Sequence, residues 1–521
     1  MRHHRRRAAV AAAAAATLLL GACSAGSGSE PDGDATTGTT GTSGTTGTTG
    51  SGGSDDTLAV GLVAEPANLD FTTTDGAAIP QALLVNVYEG LVKLNQDGDI
   101  EPLLATSWEV SEDRRTYTFQ LVEDAVFSNG EEFTAEDAVF SIERVQQDWT
   151  TSLKAGMDVV ESAEAVSPTE LRVTLSRPSN DWLYRMTTRI GAMFDQEGVE
   201  DLANNPVGTG PYLLGEWARG DSITLVRNDD YWGEAPYFAE VTLRYFDDAT
   251  ALNNALLTET IDVVGTVQAP ESLGQFEGDD RFQIIEGMTN GEVVLSMNNA
   301  EGPMTDKRVR QAVRHAIDHQ ALLDTCWGGR GTLIGSMVPP TDPWYEDRTG
   351  DYEYDVEEAR RLLEESGVAG TPIRLRIPAL PYAVSCGTVV ESQLEEAGFT
   401  IELDQLEFPA AWLQTVFTDH DYDMSIIAHV EPRDLGAVFG NPDYYTGYGD
   451  PELVALLEAA DSGTEEEQVE NMKAAAALIS QEAVADFLFL LPNLIVAEQG
   501  ITGLPENAIG ESFDLTGLAR S

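Results

Sequence analysis

IRLRIPALPYAVSCGTVVESQLEEAGFTIELDQLEFPAAWLQTVFTDHDYDMSIIA (373–428) is the stretch that decides the fold of this chain. Residues 373–377, 400–406 and 424–428 are apolar and β-branched enough for strands, whereas 389–397 and the surroundings of Trp412 carry helical periodicity. Strand, helix, strand, helix, strand predicts a parallel sheet with right-handed crossovers, hence an α/β domain. Just upstream, Asp355 caps a helix with Glu358 at the capping-box position, and Gly367 stops it. Before that, Thr305 or Asp306 caps another helix, whose residues Val309, Ala312, Val313, Ala316 and Ile317 recur at i, i+3, i+4, i+7 and i+8.

Up to about residue 290 the chain reads as mixed α and β. Residues 107–121 form a strand pair around the Glu112-Asp113 turn, with Tyr117, Phe119 and Leu121 on one side. Thr134 opens a helix with Asp137 at the capping-box position and Val139, Ile142 and Val145 as its apolar face. Strands at 223–226 and 241–245 are separated by the turn-rich 228–236.

The N-terminus is of another kind. Arg2, Arg5, Arg6 and Arg7 precede an apolar run, 8–20, too short for a permanent bilayer span, which ends in Leu20-Gly21-Ala22-Cys23. The pattern is similar to the lipobox of bacterial lipoproteins, which implies cleavage before Cys23, acylation of its sulfur and a membrane tether outside the cytoplasm. The alternative is a plain signal peptide followed by a chance Cys. Residues 24–56 are almost entirely Gly, Thr and Ser, with too little apolar surface to offset ordering entropy, and read as a flexible leash.

Composition narrows the function classes. With 30 basic against 88 acidic residues and a net charge of −58, nucleic acid is a poor partner, and the dispersed acids read as a solvated surface. Besides Cys23 only Cys326 and Cys386 occur; in an oxidising compartment a disulfide is expected, with two buried thiols as the alternative. Only four Lys are present, none in a phosphate-binding loop, and neither a G-x-S-x-G elbow nor an H-E-x-x-H pair is found. His315 and His319 have the spacing of a helical metal pair but lie off the apolar stripe without a third ligand, and read as solvated. The cluster Pro206-Val207-Gly208-Thr209-Gly210-Pro211-Tyr212 reads as a tight turn feeding a strand at 212–214. No catalytic constellation, cofactor or metal site is expected, so the chain is not read as an enzyme.

LATSWEVSEDRRTYTFQL (104–121), FSNGEEFTAEDAVFSIERV (127–145), NPVGTGPYLL (205–214), LVRNDDYWGEAP (225–236), MTDKRVRQAVRHAID (304–318) and YDVEEARRLLEESG (354–367) together resemble, in order, family 5 of the bacterial extracellular solute-binding proteins, the oligopeptide, dipeptide and nickel receptors of ABC importers. The resemblance implies an α/β, two-lobed, periplasmic-binding-protein-like fold with an enlarged N-terminal lobe and a ligand cleft between lobes. It divides the chain into a leader (1–22), lipidated Cys and linker (23–56), N-terminal lobe (57–290), second lobe (291–490) and a segment returning to the first (491–521), with crossings near 291–298 and 490–496. The implied function is capture of a small ligand, a short peptide foremost, by lobe closure of a monomer that delivers it to an ABC permease. A nickel chelate, haem or an oligosaccharide is the alternative ligand, and a surface chaperone or signalling receptor the alternative role.

The cleft candidates follow. Glu65 and Ala67 stand in EPANLD (65–70), which resembles the family's first cleft-edge strand and reads equally as a strand-ending turn; Gly265 and Thr266 would face the hinge. Peptide-binding members anchor an ammonium group with a Trp followed three residues later by an Asp, and here His429 and Pro432 occupy those places. Glu431 or Asp434 could take over the anchor, Arg433 could pair with a ligand carboxylate, and Tyr445, with Tyr444 and Tyr448, could stack or donate.

Overall fold

A computed structural model describes residues 54, 56–74, 76–267 and 269–521. The 1–22 leader, Cys23 and all of the linker except Ser54 and Asp56 lie outside the described residues. Ser54 is already fixed, its N–H donating to Tyr237 O at 2.8 Å and its carbonyl accepting from Arg227 Nη1 at 2.7 Å. No helix among the described residues is long and apolar enough to cross a membrane.

Ten strands form one mixed sheet: β1 (Thr57–Leu62), β2 (Tyr212–Ala218), β3 (Ser222–Arg227), β4 (Glu240–Tyr245), β5 (Val263–Val264), β6 (Phe282–Met297), β7 (Pro372–Pro378), β8 (Thr400–Leu406), β9 (Met424–His429) and β10 (Ala485–Glu498). Their spatial order is β8-β7-β9-β6-β10-β5-β1-β4-β3-β2. β7 is parallel to both β8 and β9, as the strand-helix alternation predicts. β9, however, is antiparallel to β6, so the parallel part stops at three strands; β6 enters from the far side of the sheet and not through a crossover helix.

β6 and β10 are the longest strands and pair antiparallel from Phe282↔Glu498 to Ser296↔Ala485. Between Met288 and Glu292, four steps on β6 are matched by two on β10, from Pro492 to Leu490. The looped-out residues are held by side-chain bonds: Thr289 Oγ1 donates to Leu491 O at 2.7 Å and Asn290 Nδ2 to Ile509 O at 2.7 Å. Apolar residues gather separately on the two sides of this point. One core combines Leu58, Val60, Phe119, Ile142, Leu225 and Leu243 with Ile495, Phe513 and Leu518; another combines Val293, Leu295, Val313, Leu375, Val390, Ile426 and Phe489.

The local signals behave as the residues dictate. Thr134 and Asp137 complete a capping box on Ala135–Asp148, Asp306 caps Lys307–Ala316, and Gly367 ends Val356–Ser366 in the left-handed conformation. The two histidines depart from expectation. The helix stops at Ile317, whose extended backbone starts a new helix at His319, so no i, i+4 pair exists. His315 Nδ1 lies 2.8 Å from Glu353 O, and His319 Nε2 lies 3.0 Å from the fully buried Asp486, which also meets Arg314 Nε at 3.3 Å. Burial alone would raise the Asp486 carboxyl, but the charges of His319 and Arg314 outweigh it and hold the group below its usual range. A disulfide joins Cys326 to Cys386, with Cα atoms 4.9 Å apart, and ties His319–Cys326 to Pro381–Glu396.

The glycine cluster before β2 is a close approach of backbones: a Cβ on Gly208 would lie 2.0 Å from Val87 O. This contact brings Thr209 onto Glu89, a buried carboxyl that also accepts from Tyr231 and Trp232 of the turn-rich stretch. The distances are 2.8 Å from Thr209 Oγ1, 2.7 Å from Tyr231 Oη and 2.9 Å from Trp232 Nε1. Desolvation pushes Glu89 up to about 7 against these three donors.

The two sides also touch away from β6 and β10. The helix Asn180–Arg185 lacks a side-chain cap of its own. Asp461, at the end of Pro451–Ser462, supplies one: its Oδ1 accepts from Ser179 Oγ at 2.7 Å and from Asp181 N at 3.1 Å, and its Oδ2 pairs with Arg177. Asn180 Nδ2 adds bonds to Ala460 O and Gly463 O, at 2.7 and 3.0 Å.

Two outcomes are expected. Glu89 titrates higher folded than unfolded, so its contribution is complete below about pH 4.5 and is lost as the pH rises through about 7, by about 3 kcal/mol. Urea denaturation across that window should show the loss, and Glu89→Gln should flatten the slope. Asp461→Ala should cost about 1 to 2 kcal/mol, the usual value of a cap, in the same measurement.

Candidate functional site

β9 ends at His429 and the chain turns at once into 430–434. Register places His429 opposite Glu292 on β6, Ile427 opposite Val294, and Ser425 opposite Ser296. Opposed and alternate residues share a face, so Glu292, Ser296, Ser425 and His429 form one polar row in an otherwise apolar strand pair. Tyr445 closes over it. Its hydroxyl lies 2.7 Å from Ser296 Oγ and 2.9 Å from His429 Nε2, and its ring stacks with the imidazole at 6.1 Å. Trp412 Nε1 donates to Ser425 Oγ at 3.1 Å.

Arg433 holds a left-handed backbone with φ 58°, a conformation that costs free energy in a residue with a side chain. Its guanidinium lies 3.6 Å over the ring of Tyr184 and 4.7 Å from that of Trp344, while Nε donates to Asp342 Oδ1 at 3.1 Å. Burial raises the Asp342 carboxyl, and Arg433 only partly offsets this. Asp434 Oδ2 lies 3.5 Å from His429 Nδ1. Tyr184 belongs to the opposite core's side, so 429–434 meets the other half of the molecule there.

The facing elements carry charge of both signs. Arg189 is buried and donates through N and Nε to Glu511, at 2.6 and 2.7 Å, while Arg185 Nε donates to Asp181 at 2.9 Å. Glu431 is exposed at the lip. Partial desolvation and the Glu511 charge push its carboxyl upward, with Arg189 and Arg185 opposing. Glu511 also lines a cavity of about 280 Å³ with Gln81, Gly265, Thr266, Asn493 and Phe513. The hinge-side pair Gly265 and Thr266 therefore shares a cavity with Glu511, whose charge reaches Glu431.

Not every sequence candidate converges. Glu65 accepts from Trp217 Nε1 at 2.8 Å and Gly220 N at 3.0 Å, and Ala67 O accepts from Arg219 Nη1 at 2.9 Å. Both thus hold the turn between β2 and β3, beneath the Arg219 guanidinium stacked 3.4 Å over Trp217. Arg433, expected to be free for a ligand carboxylate, is stacked and paired within the protein. Sequence reasoning missed Tyr184, Arg189, Asp342, Glu511 and Glu292. Of these only Glu292 left a signal, a lone carboxylate inside the apolar run GEVVLSM (291–297).

Residues 99–448 match the family model described as bacterial extracellular solute-binding proteins, family 5 Middle. Among curated relatives, the chain is 27% identical to the nickel-binding periplasmic protein of Escherichia coli over 61% of this chain and 65% of that protein. It is 29% identical to heme-binding protein A of Haemophilus influenzae, over 54% and 56%, and 28% identical to the dipeptide-binding protein of Escherichia coli, over 57% and 59%. The match thus spans less than two thirds of these relatives' lengths. Among solved structures, the substrate-binding protein CtaP of Listeria monocytogenes superposes with a TM-score of 0.80 at 22% identity, covering 89% of this chain and 99% of that one. NikA of Brucella suis in complex with Fe(III)-EDTA superposes at 0.78 and 24%, covering 90% and 100%. The fold is therefore the two-lobed one of periplasmic binding proteins, and the chain belongs to family 5 of the bacterial extracellular solute-binding proteins.

Proposed function

We infer that the protein captures a small extracellular ligand, most simply a short peptide, between two lobes, as a monomer, and hands it to an ABC permease without covalent chemistry. The lobes comprise 57–290 with 491–521 on one side and 291–490 on the other. The observation that carries this reading is the stacking of Arg433 on Tyr184, from the two sides of the β6–β10 crossing, with Glu431 within reach of the charges of Glu511, Arg189 and Arg185. A ligand that contacts both sides favours the closed arrangement by its differential affinity, and closure is what a permease can recognise. The dipeptide-binding relative and the solved complex of Helicobacter pylori DppA with the peptide STSA support peptide as the ligand class. Outside the cytoplasm, the acyl chain on Cys23 and the Gly/Thr/Ser-rich segment behind it tether the receptor to the membrane.

Native mass spectrometry of gently extracted protein should show a bound mass in the range of a short peptide; a metal chelate or haem mass would replace that ligand class. With the ligand so identified, calorimetry should show Glu431→Ala weakening binding by about 2 kcal/mol. Unchanged affinity in both Glu431→Ala and Tyr184→Ala would remove the ligand from this cleft. Cys23→Ala should shift the protein from the membrane to the soluble fraction with an unchanged melting curve, and retention of lipid label on the variant would refute the anchor.

A further inference from the structure

The polar row on β6 and β9 contains a carboxyl without a partner. Glu292 is only 2% exposed, and its Oε2 has no hydrogen-bond partner among the described residues. An unmade bond on a buried carboxyl oxygen costs at least as much as a typical hydrogen bond is worth, so a fold tolerates it where a donor arrives from outside or where a proton neutralises the group. The neighbours cannot supply the donor. The imidazole of His429, directly opposite, is turned to Tyr445 and Asp434. The Arg433 guanidinium is stacked on Tyr184 and bonded to Asp342. Glu292, Asp342 and Asp434 thus lie within range of one another's charge; Arg433 pairs with Asp342, and Arg185 and Arg189 act on Glu431 at the lip. Crowding of these acids, after desolvation, also drives the Glu292 carboxyl well above its usual range.

We propose that Glu292, with Asp434, receives a cationic group of the ligand, a primary ammonium or a guanidinium, at the point where β6 leaves the crossing. This deepens the proposed function and rests on it for the location of the ligand. The position differs from the amine anchor of peptide-binding members, whose place is held here by the uncharged Pro432. It lies instead on the crossing strand, opposite His429 in the β6–β9 pairing. A bound cation restores charge balance and gives Oε2 its missing donor, and opening of the lobes is required for it to enter.

The test uses detergent-extracted full-length protein, stripped of bound ligand, and a matched probe set read by thermal shift and calorimetry. The probes are trialanine, Lys-Ala-Ala, the N-acetylated form of each with the lysine also acetylated, agmatine and putrescine. The expected result is that binding requires a free ammonium or guanidinium. Glu292→Gln, which keeps the shape and removes the charge, should weaken the cationic probe at least about tenfold, and Asp434→Asn should weaken it in the same direction. Glu292→Gln should melt no lower than the wild type, because Oε2 has no hydrogen bond to lose in the empty protein. Equal binding of acetylated and free peptides would overturn the cation site while leaving the peptide receptor intact. Binding of agmatine or putrescine through Glu292 without any peptide would keep the site and discard the peptide. Failure of every cationic probe to bind, or unaltered affinity in Glu292→Gln, means that Glu292 is a neutral buried acid only, and the proposal falls.

Discussion

The antiparallel pairing of β6 with β10 is the constraint on which the rest of the molecule depends. Both strands traverse the boundary between two separate apolar cores, so every backbone bond between them holds two bodies together as well as two strands. Of two mismatches in this ladder, the smaller lies between Val293 and Val294, and the larger, between Met288 and Glu292, falls at the boundary itself. There the support changes from strand pairing to side chains and to residues of the C-terminal segment, with Asn507 Oδ1 accepting from Met288 N at 2.8 Å. A bulge bends and twists the strand that carries it, and the polar row of β6 begins where this one ends.

Local chemistry was legible at long range from the site and faded toward it. Caps such as Thr134, Asp306 and Asp355, and the periodicity of Val309 to Ala316, are decided by residues within a turn of one another, and the chain folds there as written. The antiparallel β6–β9 pairing could not be read, because it depends on a strand arriving from another half of the chain. The same holds for His319, whose partner Asp486 is 167 residues away, and for Arg433, whose guanidinium meets Asp342, Trp344 and Tyr184 from distant segments. The chemical types in 429–434 marked the segment, but the partners that determine each side chain's freedom are encoded elsewhere.

The blocks that identify the family and the residues proposed to face the ligand are largely different sets. PVGTGPY (206–212) and the Tyr231-Trp232 pair converge on Glu89, where glycines permit backbone contact and three donors satisfy one buried acid. Their composition follows from packing and hydrogen bonding inside one core. The stretch that departs from the peptide-binding pattern, His429 to Asp434, stands at the meeting of the two sides. A family assignment from the first set therefore constrains the scaffold tightly and the cargo loosely.

The short helix Asn180–Arg185 has a mechanical consequence. Six residues rise about 9 Å, so its two ends are too close to move independently. One end is capped by Asp461 and the other presents Tyr184 to Arg433, both partners lying beyond the β6–β10 crossing. The helix is in effect a rigid peg seated in two sockets of the same opposing body. Withdrawing it from one socket obliges it to leave the other, so the two contacts are made or lost together.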